Sequence, residues 1–223
     1  MEEKAQRPAF AVKVCGITRR QDAEAALAAG AAFIGLNLYP PSPRSLTLEA
    51  AGELLSCIPP GKRVLVDVAP SGRKLESCLP LGFDRFQLHF DPRQVSPFMV
   101  EQWARIAGGM ERLWLAPRLS PGMSFPEDLP PYADSFLFDA YAQGEYGGTG
   151  KTADWSLFKQ ISSRHPDKTW ILAGGLGPDN IVQAVTASGA SFVDVNSGIE
   201  ERPGHKDPAK LRAFFQALEG FSG

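Results

Sequence analysis

Ala29-Gly-Ala-Ala-Phe-Ile-Gly-Leu-Asn37 and Ser188-Gly-Ala-Ser-Phe-Val-Asp-Val-Asn196 are two versions of one phrase. In each, a helix of small residues stops at a glycine and the chain turns at once into a short apolar strand. A helix-to-strand junction near both ends of a chain points to a repeated strand–helix unit. Working outward from the two copies, apolar runs that read as strands occur at 11–15, 33–38, 63–68, 85–89, 112–116, 135–139, 169–173 and 192–195. Helical stretches separate most of them, at 21–29, 48–58, 75–79, 97–106, 155–163, 179–188 and 208–218. The segment 120–132 contains four prolines and is expected to be short or irregular, because proline removes a helix donor and clashes with the preceding turn.

Eight strands alternating with about eight helical segments predict an α/β protein, a (β/α)8 TIM barrel with a closed, parallel, eight-stranded sheet. The 223 residues allow ~28 per unit, near the ~250 typical of that barrel. A doubly wound open sheet uses the same alternation, and periodicity alone leaves that alternative standing. No linker-like stretch divides the chain, so a flexible segment 1–10 and a single barrel domain 11–223 are expected.

Composition narrows the partners. The chain is 43% hydrophobic and 22% charged, with a net charge of -2, which leaves no basic surplus for nucleic acid or an anionic membrane. Met1 to Pro8 is polar with two glutamates, unlike a targeting peptide, and no apolar run has spanning length, so a cytoplasmic protein is expected. Cys15, Cys57 and Cys78 form no CxxC pair, and His89, His165 and His205 lie far apart, so neither a disulfide framework nor a metal site is expected. Oligomeric state is not legible.

In a closed barrel, reactive groups sit at the C-terminal strand ends. Those positions carry Cys15-Gly16, a proline-rich loop with Arg44, His89, Asp139, Gly174-Gly175 and Asn196-Ser197-Gly198. The last two turns can present backbone N–H groups to a phosphate, as barrels commonly do after strands seven and eight. Two nucleotide motifs fail on spacing: the P-loop-like Gly147–Thr152 has Glu145 where a glycine is needed, and Gly175-Leu-Gly177 has Asn180 in place of a third glycine.

All of the strand-end residues except Asp139 fall within longer blocks: Val12-Lys-Val-Cys-Gly-Ile-Thr18, Tyr39-Pro-Pro-Ser-Pro-Arg44, Gln87-Leu-His89, Tyr146-Gly-Gly-Thr-Gly-Lys-Thr152 with Asp154-Trp155, Leu172-Ala-Gly-Gly-Leu176, and Asp194-Val-Asn-Ser-Gly-Ile-Glu200 with Pro203-Gly-His-Lys-Asp207. In content and order they resemble the phosphoribosylanthranilate isomerase family. The resemblance implies an Amadori rearrangement, without a cofactor, of a small phosphoribosyl substrate in tryptophan biosynthesis, with Cys15 as base and Asp139 as acid. It also implies that Arg44 meets the anthranilate carboxylate, and that His89, Gly174, Gly175, Asp194, Asn196, Ser197 and Gly198 help to bind substrate. A carboxyl pKa of ~4 and a thiol pKa of ~8.5 start both groups in the wrong protonation state at neutral pH. An apolar surrounding is therefore expected to raise Asp139, and backbone dipoles with the phosphate-binding groups to help form the Cys15 thiolate.

The match weakens at Phe90, where the family has glycine, and along Leu113-Trp-Leu-Ala-Pro117, where a lysine usually precedes the alanine. Both are expected to reshape the aryl side of the pocket. Two other readings remain: a related barrel isomerase acting on another phosphoribosyl amine, whose family pairs two aspartates where this chain has a thiol and one aspartate, and a non-catalytic barrel that binds a phosphorylated ligand. Cys57 and Cys78 read as thiols without a role, and His165 and His205 as surface residues.

Overall fold

The computed structural model of the protein describes residues 10–120, 122–139 and 153–221. Eight parallel strands, β1 (Ala11–Val14), β2 (Phe33–Asn37), β3 (Arg63–Val68), β4 (Arg85–Phe90), β5 (Leu113–Pro117), β6 (Ser135–Phe138), β7 (Thr169–Leu172) and β8 (Phe192–Val195), form a closed barrel in chain order. The closing contact is β1 on β8, from Ala11 opposite Phe192 to Val14 opposite Val195. It removes the open-sheet alternative.

Around the barrel lie α1 (Arg20–Ala28), α2 (Leu48–Leu55), α3 (Gly72–Cys78), α4 (Pro97–Ala107), α5 (Trp155–Arg164), α6 (Ile181–Ser188) and α7 (Pro208–Glu219). Several begin as the sequence signals, with Thr47, Ser71, Ser96, Asp154 and Asp207 accepting backbone N–H bonds at the first turn. After β5, the proline-rich segment forms only a 3-10 turn at Pro130–Tyr132 among the described residues. One feature was not expected from the sequence: after β8 a small antiparallel hairpin forms from β9 (Glu200–Arg202) and β10 (His205–Lys206). Phe10, placed in the flexible segment on sequence grounds, is half-buried with its ring 5.7 Å from that of Phe221. Residues 1–9 lie outside the described residues. Among the described residues no helix is long and apolar enough to cross a membrane.

Side chains alternate across each strand, so parity decides which of two cores a residue joins. Val12 and Val14 face the helices, joining a core that includes Trp103, Phe86, Phe136, Phe158 and Phe214. Val64, Val66, Trp114, Leu137, Ile171 and Phe192 face the barrel axis. At its floor Trp114 meets Phe33 and Phe192 edge-on, with centroids 5.0 and 5.5 Å away. Above these rings the inward positions turn polar: Lys13, Gln87 and Asp194 are all buried.

Candidate active site

The polar layer opens at the C-terminal end of the barrel into a cavity of about 380 Å³. Its wall includes Cys15, Arg44, Gln87, His89, Asp139, Gly174, Gly175, Asp194, Asn196 and Ser197. Cys15, Asp139 and Ala173 each stand one residue past the end of their strand and keep the inward parity. Thus nine of the ten residues singled out in the sequence border one space, and only Gly198 does not. It stands behind the wall, where a Cβ would run into the carbonyl oxygen of Leu176. Its glycine lets the loops after β7 and β8 touch.

Cys15 is 6% exposed and shares the inward face of β1 with Lys13. Opposite them, Gly35 on β2 is small of necessity, since a Cβ there would lie 2.9 Å from Lys13 Nζ and 3.0 Å from Cys15 Sγ. Burial pushes the Cys15 thiol pKa up and the Asp194 carboxylate adds to this, while Lys13 and Lys206 pull it down. The upward pull wins, so these surroundings favour the neutral thiol, contrary to the thiolate expected from the sequence, and the two lysines are the groups that oppose it.

Lys13, which is fully buried, donates to Asp194 Oδ2 at 2.9 Å. Burial opposes its charge, but Asp194 and Cys15 outweigh that and raise its pKa. Burial pushes the Asp194 carboxyl upward, and the Lys13 ammonium pulls against it. The Gln87 amide is 2.9 Å from His89 Nε2. Burial and the Lys13 charge lower the His89 pKa to about 3, so its imidazole is neutral at ordinary pH.

On the rim, Arg44 comes from the loop after β2 and is held by Glu200, the first residue of the unexpected hairpin. Arg44 Nε donates to Glu200 Oε1 at 2.9 Å and Nη2 donates to Oε2 at 2.6 Å. Lys206 Nζ donates to Glu200 Oε1 at 3.0 Å and to Asn196 Oδ1 at 2.9 Å. Gly16, with φ of 68°, makes room for this packing, because a Cβ would lie 2.6 Å from both Arg44 Cδ and Asn196 Oδ1. The stem and the amide close over the residue that follows Cys15.

The loop after β7 turns on Gly174 and Gly175, whose φ values of 90° and 61° suit glycine. Asn180 braces it, accepting from Gly177 N at 2.9 Å and donating to Gly175 O at 2.8 Å. The residue that breaks the dinucleotide pattern thus has a structural task. Together with Ser197, this backbone offers N–H groups of the kind that bind phosphate.

Neither sequence departure reaches the cavity. Phe90 has the parity opposite to His89 and packs beneath α4, its ring 5.6 Å from Trp103. Leu113 and Leu115 likewise face the helices, and Trp114 and Ala116 join the interior cluster without lining the cavity. The expectation of a reshaped aryl pocket is corrected accordingly. The Tyr146–Thr152 block and the P-loop-like stretch within it lie outside the described residues. Asp154 caps α5 through Ser156 N and Leu157 N. Cys57 and Cys78 donate to carbonyls of the preceding helical turns, and His165 packs against Phe125 and Trp170 instead of lying on the surface. Among the described residues, no cluster of three or more His, Cys, Asp or Glu could hold a metal ion.

Sequence reasoning left Lys13, Gln87, Glu200 and Lys206 without a role. Lys13 carried a usable signal, a charge two residues before Cys15 on a buried strand. Glu200 carried none, since its partner Arg44 is 156 residues away.

Comparison with known proteins adds an independent finding. A family described as N-(5'phosphoribosyl)anthranilate (PRA) isomerase matches residues 12–217. The enzyme of that name from Cereibacter sphaeroides is 38% identical over 217 residues, covering 92% of this chain and 97% of the relative. The one from Neisseria meningitidis is 35% identical over 222 residues, covering 94% and 97%. Among solved structures, phosphoribosyl anthranilate isomerase from Thermus thermophilus superposes with a TM-score of 0.79 at 29% identity, covering 95% of this chain and 99% of that one. A phosphoribosyl anthranilate isomerase in complex with reduced 1-(o-carboxyphenylamino)-1-deoxyribulose 5-phosphate gives 0.72 at 27% identity, covering 95% and 100%.

Proposed function

The chain belongs to the N-(5'-phosphoribosyl)anthranilate isomerase family, and from that membership we propose how its cavity residues divide the work. The protein is an aldose–ketose isomerase of tryptophan biosynthesis. We assign Asp139 as the general acid and Cys15 as the general base, and a cytoplasmic setting follows from the biosynthetic role.

The chemistry requires one of each. Asp139 gives a proton to the furanose ring oxygen as the C1–O bond breaks, and the anthranilate nitrogen lone pair forms the C1=N Schiff base. The Cys15 thiolate then takes the proton from C2. The C–H electrons become the C1=C2 bond, the C1=N pair returns to nitrogen, and the resulting enolamine tautomerises to the C2 ketone as C1 gains a proton. Hydrogen lost at C2 is balanced within the substrate.

The observation that carries this reading is that Cys15 and Asp139 border the same cavity, with Gly174, Gly175 and Ser197 on its wall beside them. Those three are assigned to the phosphate, where glycine-rich backbone can approach closely. Arg44 is assigned to the anthranilate carboxylate. Glu200 occupies its Nε and Nη2, which leaves Nη1 to serve the carboxylate. His89 and Asp194 are assigned to the ribose chain, the neutral imidazole adding no charge beside the reacting carbon.

The test is the decay of phosphoribosyl anthranilate fluorescence with purified protein. Cys15→Ser and Asp139→Asn are each expected to lower kcat by about 10²–10⁴. Variants that turn over at the wild-type rate would remove the assignment.

A further inference from the structure

The rim cluster holds two cations and one anion in a space with little water. Side-chain exposure is 8% for Arg44, 4% for Glu200 and 1% for Lys206. One positive charge is therefore in excess beside the cavity. Arg44 borders the cavity and Glu200 does not, so whatever Glu200 does for a ligand it does through Arg44.

Glu200 takes two nitrogens of the guanidinium, Nε at 2.9 Å and Nη2 at 2.6 Å, which sets the plane of the group as well as its place. The carboxylate is itself immobilised from behind, accepting from Lys206 Nζ at 3.0 Å and Gly204 N at 3.2 Å. The hairpin that carries both is tied to α1, where Asp22 Oδ2 accepts from Lys206 N at 3.1 Å.

We propose that Glu200 is a positioning residue that sets specificity for an aryl group bearing an anion: it aims Arg44 at the cavity, and the spare positive charge of the cluster waits for the ligand carboxylate. The inference rests on the assignment of Arg44 above. Lys206 acts behind it, holding Glu200 in register.

The test is equilibrium binding of reduced 1-(o-carboxyphenylamino)-1-deoxyribulose 5-phosphate and of its counterpart lacking the carboxyl. A charge-assisted contact of about 1.5–3 kcal/mol predicts that the wild type prefers the carboxylated ligand by about 10–100-fold. In Glu200→Gln the preference is expected to fall to about threefold or less, with affinity for the carboxyl-free ligand changed by less than about twofold. The double variant Glu200→Gln with Lys206→Met keeps the net charge of the cluster and is expected to lose the preference too, which provides a folded variant if the single one is unstable. Arg44→Ala separates the two readings. If it abolishes the preference while both Glu200 variants keep it, the role of Glu200 is overturned and that of Arg44 stands. If Arg44→Ala keeps the preference, both fall.

Discussion

Two buried ion clusters serve this cavity, and they are built differently. Inside the barrel, Lys13 and Asp194 balance one to one, and they face each other because β1 and β8 pair in that register. On the rim, Arg44, Lys206 and Glu200 carry one positive charge in excess, and they meet through a loop and a hairpin. The balanced pair lies next to the thiol, and its two members pull the Cys15 pKa in opposite directions. The unbalanced cluster lies beside the cavity, where its excess charge suits the anionic group proposed for Arg44. The two clusters differ in charge balance, although Lys206 on the rim also pulls the thiol pKa down.

The largest expected effect comes from breaking the balanced pair. Lys13→Met leaves the Asp194 carboxylate buried without its cation, at a cost of about 3–5 kcal/mol in urea unfolding. It also removes one of the two charges that pull the Cys15 thiol pKa down. With Cys15 as the proposed base, working as thiolate, the rise of kcat with pH is expected to move to higher pH. Adding Asp194→Asn also removes the carboxylate that raises the thiol pKa, and is expected to restore much of the stability and bring the limb back toward lower pH. An unchanged limb in Lys13→Met alone would mean that the pair is only structural.

A smaller effect is expected where the two clusters touch. Gly16→Ala places a methyl 2.6 Å from Arg44 Cδ and Asn196 Oδ1 at a φ of 68°. Stability should drop by about 1–3 kcal/mol, with KM rising more than kcat falls. Gly30→Ala has a φ of 100° with nothing within 4 Å of the new methyl, and should lose about 1 kcal/mol without a change in KM. Equal KM values in the two variants would separate Gly16 from the rim cluster.

The smallest expected effect reads the interior cluster through its neighbour. His89 has a folded pKa of about 3, below the ~6.5 of an unfolded chain. The unfolded state therefore binds more protons between those values. The stability His89 contributes is complete above pH ~6.5 and is lost as pH falls toward 3. Since His89 borders the cavity, where water tempers the shift, about 1–2 kcal/mol is expected by pH 5. His89→Gln should flatten that slope in urea unfolding measured across the range.

Much of the interior was readable because strands have a period of two. The strand that ends at Cys15 already implied that Lys13 faces the same way, and the same parity applied at His89 excludes Phe90 from the cavity. Phe90 and Leu115 both take the outward parity, which is why neither alters the aryl side of the pocket. Glycines were readable as turns at Gly174 and Gly175. Asn196-Ser197-Gly198 was readable as a turn too, but the need for glycine at 198 was not, because it comes from the carbonyl of Leu176 on another loop. Strands as short as β9 and β10 are below the length at which alternation can be seen, so the hairpin that presents Glu200 and Lys206 left no local trace.

From the order of residues alone came the alternation of strands and helices, the stops at glycine, and the face each strand residue presents, since these follow from backbone geometry over a few residues. Closure of β1 on β8, the choice of Asp194 for Lys13 and of Glu200 for Arg44, and the excess charge on the rim came from folding in three dimensions. Such pairings join residues 181 and 156 positions apart, and their energy depends on removing water from both partners together, which no local stretch of chain encodes.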